Sequence, residues 1–376
     1  MNKLVLVDGA KGHTGTFLIK EIIETKPDWR IVATDLPTEK RNELMTKETI
    51  FGEKFKYMTD IFEDDRVNFI PSDLTDTESL IKLFKERKYN IIFHIASLYD
   101  YFAPLDLLRK VNVEGIRNLL EIVCKTQDLG ILRFIHWSTC GVYGEPKYPK
   151  DNNGYPIPFD ENAPYDPPNN YSISKMEQER VLKDFIDEYK LKATIIRPAP
   201  IIGPYQIYGV FHLIQIVNKA GFGPGIHIYP KRKRLAMPLI HVEDLVRAAV
   251  FLAENDNSIN ESYNLIIDPC FQDDFLEFLA DLLNVNYFNF PVWWPFYKFS
   301  AKLLLWLSKR KDKKARKLNS RPPVDLSMAG YTTHQYLFSN KKIKDLGFKY
   351  KFPDYKSATK DTVEWYLKNN WLESEE

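Results

Sequence analysis

Cysteine is scarce in this 376-residue chain, with Cys124, Cys140 and Cys270 the three present. Their odd number and wide spacing fit neither a disulfide framework nor a zinc site, which points to a reducing compartment and to no metal. Neither sign of charge is in excess. With 52 Lys and Arg against 51 Asp and Glu, the net charge is +1, so the chain as a whole has no electrostatic reason to bind nucleic acid. Long apolar runs are also missing. The run Leu303 to Leu307 near the C-terminus falls far short of the roughly 20 residues that span a bilayer. The N-terminus passes from Met1, Asn2 and Lys3 into Leu4 to Val7, which reads as a first strand rather than a secretory signal. These absences give the expectation of a cytoplasmic protein.

What is present suits a globular protein with one large and one smaller domain: 44% of residues are hydrophobic and 27% charged. Short β-rich runs at Leu4–Val7, Ile31–Thr34, Val67–Ile70, Ile91–Ile95, Phe134–Trp137 and Thr194–Ile196 read as buried strands. Between them, Gly15–Thr25, Ser79–Arg87, Asn112–Lys125 and Ser174–Tyr189 carry apolar residues at helical spacing. This alternation predicts an α/β fold with a doubly wound parallel sheet covered on both faces. Beyond residue 198 the pattern changes, with Gly and Pro crowding 203–204 and 221–230 before an isolated strand and helix at Leu239–Glu254. The expected division is a nucleotide-binding domain of residues 1–198 plus 237–255 and a substrate-binding domain of 199–236 plus 256–376. No internal repeat is visible.

The first strand runs into Asp8-Gly9-Ala10-Lys11-Gly12-His13-Thr14-Gly15 and then a helix. Glycines there let the backbone turn tightly and approach a pyrophosphate, whose charge sits at the helix N-terminus. The strand–turn–helix context is what gives such a motif weight. Asp35 ends the second strand, twenty residues after Gly15, where a carboxylate accepts hydrogen bonds from ribose hydroxyls and repels a 2′-phosphate, implying NAD. Arg41 lies close enough in sequence to soften that preference. Further on, Tyr171 and Lys175 stand four residues apart on a helical segment. They share a face, so an ammonium would favour the phenolate and make the tyrosine a usable base.

The motifs Gly9/Gly12/Gly15, Asp35, Ser72-Asp73-Leu74, His94-Ile95-Ala96-Ser97, Asn112-Val113-x-Gly115, Ser138-Thr139-x-x-Val142-Tyr143-Gly144, Tyr171-x-x-x-Lys175 and Arg197-Pro198 occur in this order. The ordered set resembles the extended short-chain dehydrogenase/reductase family over essentially the whole chain. That resemblance implies a Rossmann domain holding NAD along Gly9, Gly12, His13, Thr14, Gly15, Asp35, Asp73, Leu74, Ala96, Ser97, Tyr171, Lys175 and Pro198. It implies that Tyr171 exchanges the proton and that Lys175 also holds the nicotinamide ribose. It further implies that Thr139, rather than Ser138, hydrogen-bonds the substrate oxygen, that Asp73 contacts the adenine, and that Asn112 supports the lysine. Asp8 departs from the threonine usual after the family's first strand, an expected change in a turn hydrogen bond.

For the substrate, family members acting on nucleotide sugars place an asparagine after Arg-Pro and an arginine before the late strand. Alignment puts Pro200 and Met237 at those positions, so a diphosphate would lose strong charge-assisted donors. Lys231, Arg232, Lys233 and Arg234 are the nearby cations that would have to replace them. The sugar dehydratases carry an acidic pair after the threonine, where this chain has Cys140 and Gly141. The segment Leu235–Asp244 and the aromatic, basic C-terminal region are more similar to the 3β-hydroxysteroid and sterol-4-carboxylate dehydrogenase branch. Residues 293–317 combine Trp293, Trp294, Phe296, Tyr297 and Phe299 with a basic run over Lys309–Lys317. That segment suits either an ordinary helix closing the pocket or a peripheral membrane contact. The expectation is therefore NAD-dependent oxidation of a secondary alcohol, or reduction of the ketone, on a hydrophobic sterol- or isoprenoid-like small molecule. The rivals are a nucleotide-sugar epimerase with tightly bound NAD and a non-catalytic NAD-sensing scaffold. The resemblance also implies a homodimer through Asn112–Lys125 and Ser174–Tyr189.

Overall fold

The computed structural model describes residues 2–37, 60–144, 149–152, 156–219, 225–230, 234–318 and 335–372. Arg41 and residues 231–233 lie outside them. Seven parallel strands form the main sheet: β1 (Lys3–Val7), β2 (Trp29–Ala33), β3 (Val67–Phe69), β4 (Ile91–His94), β5 (Arg133–Trp137), β6 (Ala193–Pro198) and, seventh, Ser262–Leu265. Three two-stranded pieces lie outside this sheet. β7 (Ile201–Ile202) pairs with β10 (Ile240–His241), β8 (Gly225–Pro230) with β13 (Tyr287–Val292), and β9 (Ala236–Met237) with β12 (Cys270–Phe271). Numbered in chain order, Ser262–Leu265 is β11, and the main sheet runs β3-β2-β1-β4-β5-β6-β11. The order reverses between β1 and β4, the crevice where open α/β sheets take a dinucleotide.

Alternation along each strand divides the core between the two faces of the sheet. Val5, Val7, Ile91 and Phe93 join one cluster of buried side chains, while Leu6 and Ile92 join the other. Helices cover both: α1 (His13–Thr25), α2 (Thr77–Phe84), α3 (Glu114–Thr126) and α4 (Asn170–Tyr189) fall where periodicity puts them. Later helices are α5 (Val210–Lys219), α6 (Val242–Ala253), α7 (Gln272–Leu282), α8 (Trp294–Lys317), α9 (Lys341–Asp345) and α10 (Tyr355–Lys368). α6 returns to pack on α1.

Two features differ from the sequence reading. β11 falls within the segment expected to belong to the second domain, yet it pairs with β6 in register Ser262 to Ile195 through Leu265 to Pro198. Its Ser-Tyr-Asn-Leu sequence hides the strand because half of it is polar. Asn264 is nevertheless fully buried, accepting from the Tyr143 hydroxyl at 2.8 Å. Secondly, the helix through Asn112 is not regular: Arg109–Val113 form a π turn before α3. Such a turn inserts one extra residue and re-aims the side chains around it, often at functional sites.

Candidate active site

At the C-terminal edge of β1, Gly9 has φ +62°, and a Cβ there would meet the Ala96 backbone nitrogen at 3.0 Å. A Cβ on Gly15 would lie 2.2 Å from the Gly9 carbonyl oxygen, so the turn closes only without side chains. Gly12 caps α1 without any side-chain hydrogen bond. The first-turn N–H groups are therefore open to an anion, as a pyrophosphate cradle requires. Thr14 lies in that first turn. His13 Nε2 donates to the Pro204 carbonyl at 2.8 Å, tying the turn to the loop after β7. Burial lowers the His13 pKa to about 4, so it bridges as a neutral ring. Asp35 sits just past the end of β2, half-buried, its Oδ2 accepting from the Lys11 N–H at 2.8 Å. Asp73 holds the next loop through Thr75, and Leu74 packs where a Cβ on Gly115 would touch it at 2.9 Å. These glycine and carboxylate positions fit NAD.

Asp8 does more than alter a turn. Its Oδ1 accepts from the Ile95 and Ala96 N–H groups at 2.5 and 2.7 Å, and its Oδ2 accepts from His94 Nδ1 at 2.5 Å. The carboxylate thus fastens the β4 loop to the β1 loop beneath the nucleotide crevice. His94 stacks on buried His136, with ring centroids 5.4 Å apart. Burial, the largest cause, holds His136 well below the ordinary histidine pKa, so it adds no charge there.

Across the crevice, Asn169 caps α4 by accepting from the Ser172 N–H at 2.9 Å. This fixes the helix whose first turns carry Tyr171 and Lys175. Lys175 is 2% exposed, and its ammonium donates to Ser97 Oγ at 2.6 Å and the Trp137 carbonyl at 2.8 Å. It is bonded to these two groups rather than to the Tyr171 phenol. Burial lowers its pKa to about 7, with Asp8 and Glu179 opposing. Tyr171 packs against Tyr99 and Tyr101, with ring centroids 5.0 and 5.3 Å away. Burial, then Tyr101, raises its pKa well above the ordinary tyrosine range. The ammonium is bonded to Ser97 and the Trp137 carbonyl, and burial favours the protonated form of the phenol.

Thr139 Oγ1 accepts from the Gly141 N–H at 3.0 Å, which orients the hydroxyl and leaves its hydrogen to donate. Ser138 cannot serve in the same way, because its hydroxyl donates to Glu179 Oε1 at 2.5 Å. Asn112 is fully buried on the π turn. It accepts from the Leu98 N–H at 2.7 Å and donates to Ser174 Oγ at 3.0 Å, joining the β4 loop to α4 one residue before Lys175. Cys140 gives its S–H to the Arg197 carbonyl at 3.0 Å, and a Cβ on Gly141 would meet Ser172 Oγ at 2.7 Å. Neither residue after Thr139 offers a carboxylate.

Sequence reasoning passed over the group beneath the site. Glu179 and Arg197 form an ion pair of 2.7 Å with both side chains at most 1% exposed. Tyr165, Tyr143, Ser138 and the Glu161 carbonyl complete its hydrogen bonds. The signal was present: Tyr171, Lys175 and Glu179 recur every four residues on one face of α4, and a carboxylate on a buried face demands a partner. The tyrosines around the phenol, including Tyr208 at 5.4 Å from the Tyr99 ring, come from loops that carry no periodic pattern.

A reversing parallel sheet, an uncapped glycine turn and a buried Tyr-Lys helix at one crevice define an NAD-binding short-chain-type oxidoreductase. The model of the NAD-dependent epimerase/dehydratase family matches residues 5–265. The chain belongs to that family, and its cofactor is NAD. It is 25% identical to the mouse dTDP-D-glucose 4,6-dehydratase over 386 residues, covering 99% of this chain and 92% of that protein. It is 28% identical to the Candida albicans sterol-4-alpha-carboxylate 3-dehydrogenase (decarboxylating) over 203 residues, 53% of this chain and 51% of that one. Its fold is shared with the Thermotoga maritima UDP-glucose 4-epimerase bound to UDP-glucose, at TM-score 0.68 and 20% identity, covering 98% and 99% of the two chains.

Proposed function

We propose that this enzyme interconverts a secondary alcohol and its ketone on a hydrophobic small molecule, with hydride exchanged at NAD. The observation carrying the reading is the disposition of Thr139, Tyr171 and Lys175. One free hydroxyl hydrogen, one buried phenol and one ammonium of near-neutral pKa stand around the crevice where the nucleotide turn ends. NAD supplies the hydride acceptor when bound. Gly9, Gly12, His13, Thr14 and Gly15 would face its pyrophosphate, and Asp35 its adenosine ribose. Asp73, Leu74, Ala96, Ser97 and Pro198 would line the remainder. In the reduction direction Tyr171 gives its proton to the ketone oxygen while Thr139 donates to that same oxygen. In oxidation the phenol must first give its proton to solvent before it takes the substrate's hydroxyl proton, and Lys175, on the same helix face, is the cation placed to lower that cost by moving from Ser97.

For a hydrophobic substrate, the support is both negative and positive. Met237 is buried in β9 and Pro200 has no donor to give, so neither offers a diphosphate the charge-assisted bonds it needs. Arg234, the described member of the nearby basic cluster, is engaged by Asp273 and Asp274. The wall beside Tyr171 is built of Tyr99, Tyr101 and Leu98, an apolar lining. Cys140 and Gly141 argue against dehydration.

A nucleotide-sugar epimerase is the second reading, favoured by the names of the mouse and Thermotoga proteins. The two differ in electrons: the dehydrogenase releases NADH stoichiometrically, whereas the epimerase reoxidises its cofactor within each turnover. Incubation with NAD and a panel of apolar alcohols or nucleotide sugars, with Tyr171→Phe as control, separates them. A homodimer through α3 and α4 would join charged faces, since Arg109, Glu114, Arg117, Glu177, Arg180 and Asp184 line the groove between them. A cytoplasmic location with peripheral membrane contact through residues 293–317 completes the proposal. No helix among the described residues is long and apolar enough to cross a membrane.

A further inference from the structure

An amphipathic helix that closes a domain turns its apolar side inward. α8 is apolar toward the protein and toward solvent as well. Its seam toward the protein is Trp294, Tyr297, Ala301, Leu305, Ser308 and Ala315, all half-buried or buried. Trp293 is 76% exposed, Phe296 57%, Phe299 67%, Leu303 46%, Trp306 47% and Leu307 43%. At about 100° per residue the five of these on α8, with Leu304 at 46% exposed, fall within an arc of roughly 160° on the side away from the protein, and Trp293 stands just before the helix. Phe288 and Phe290 of the preceding strand β13 are exposed as well. A contiguous exposed apolar surface of this size marks a contact site rather than ordinary surface.

The second half of the helix carries the opposite chemistry on the same side. Arg310, Lys311, Lys314 and Lys317 continue that arc. Residues 309–317 hold seven basic residues against Asp312, a net +6 in a chain whose total is +1, which leaves −5 for the rest. Arg310 also lies 3.7 Å over the Trp306 ring, where the apolar and cationic parts meet. Aromatic rings followed by an excess of cations on one surface match the boundary between acyl chains and anionic headgroups. A second copy docked α8 to α8 would cover the apolar arc but would set the two cationic arcs against each other.

We propose that the outward face of α8 docks on an anionic lipid bilayer, with the Trp293–Leu307 arc in the acyl boundary and the Arg310–Lys317 arc on the headgroups. This holds whichever alcohol the site oxidises, so the binding test and the NADH test fail independently. The full chain is floated with phosphatidylcholine vesicles with and without phosphatidylserine, at low and high salt, and is examined alone by light scattering. Two surface variants are compared, one with Trp293→Ser, Phe296→Ser and Phe299→Ser, the other with Arg310→Glu, Lys311→Glu and Lys314→Glu. Circular dichroism melts check that both stay folded. The expected result is salt-sensitive binding to the phosphatidylserine vesicles alone, reduced about tenfold or more by either variant. Absence of binding, or binding that both folded variants retain, overturns the proposal. A lipid-free dimer that the serine variant dissociates also overturns it, because a second copy then occupies the face.

Discussion

The crevice at the C-terminal edge of the sheet and the surface of α8 solve opposite problems. Beneath the crevice, charged groups are buried and every one of the strongest is answered: Glu179 by Arg197, Ser138 and Tyr165, and Asp8 by His94 and two backbone N–H groups. On α8, large apolar side chains stand in water beside cations. Polarity is inverted in both places. The lesson is that the two regions should respond differently to the same kind of change. Truncation below the crevice unfolds, whereas truncation on α8 leaves the fold intact.

The largest effect should come from breaking the buried pair. Arg197→Met leaves Glu179 without its cation and is expected to destabilise by about 3–5 kcal/mol in urea unfolding. The serine substitutions on α8 should leave the unfolding midpoint unchanged or raise it, and equal losses would erase the contrast. Next, Tyr171→Phe keeps the packing but removes the proton. Turnover is expected to fall by about a thousandfold at unchanged thermal midpoint, as loss of an acid–base group does. A drop of similar size from Ser138→Ala with Thr139 intact would instead mean that the wrong hydroxyl has been assigned.

The buried lysine gives a pH test. Its folded pKa of about 7 lies below the ordinary 10.5, so between those values the unfolded chain binds more protons than the folded one. Stability therefore rises with pH through that window, and the cost of the buried charge is fully present below pH 7. In Lys175→Met this climb should be missing, so the stability difference between variant and parent should move in the parent's favour from pH 7 to pH 10. A pH-independent difference would place the ammonium in a solvated site. The smallest change is in cofactor choice: Asp35→Ser should narrow the preference for NAD over NADP about tenfold, measured as the ratio of the two dissociation constants.

How much of this was legible in the sequence depends on whether a residue acts through spacing or through what it touches. The six strands from Leu4–Val7 to Thr194–Ile196 announce themselves because each is a short run dominated by apolar and β-branched residues. β11 does not, since Asn264 is a polar residue whose burial depends on partners distant in sequence: the Tyr143 hydroxyl, the Glu161 carboxylate and the Phe159 and Ser339 carbonyls. Tyr171 and Lys175 were visible as a pair, but the phenol's raised pKa was not, because it comes from burial among tyrosines of separate loops. Asp8 was visible as an oddity, and its partners His94 and Ala96 lie on another strand end. For α8, periodicity shows an amphipathic helix but cannot say which side meets the protein, and that choice decides between a pocket lid and an exposed contact face.

The account rests most directly on whether hydride leaves the substrate for good. NADH absorbance is followed with purified protein, NAD and a panel of apolar secondary alcohols and nucleotide sugars, beside Tyr171→Phe. The account predicts stoichiometric NADH from an apolar alcohol, lost in the variant. Conversion of a nucleotide sugar without net NADH would contradict it and make the protein an epimerase.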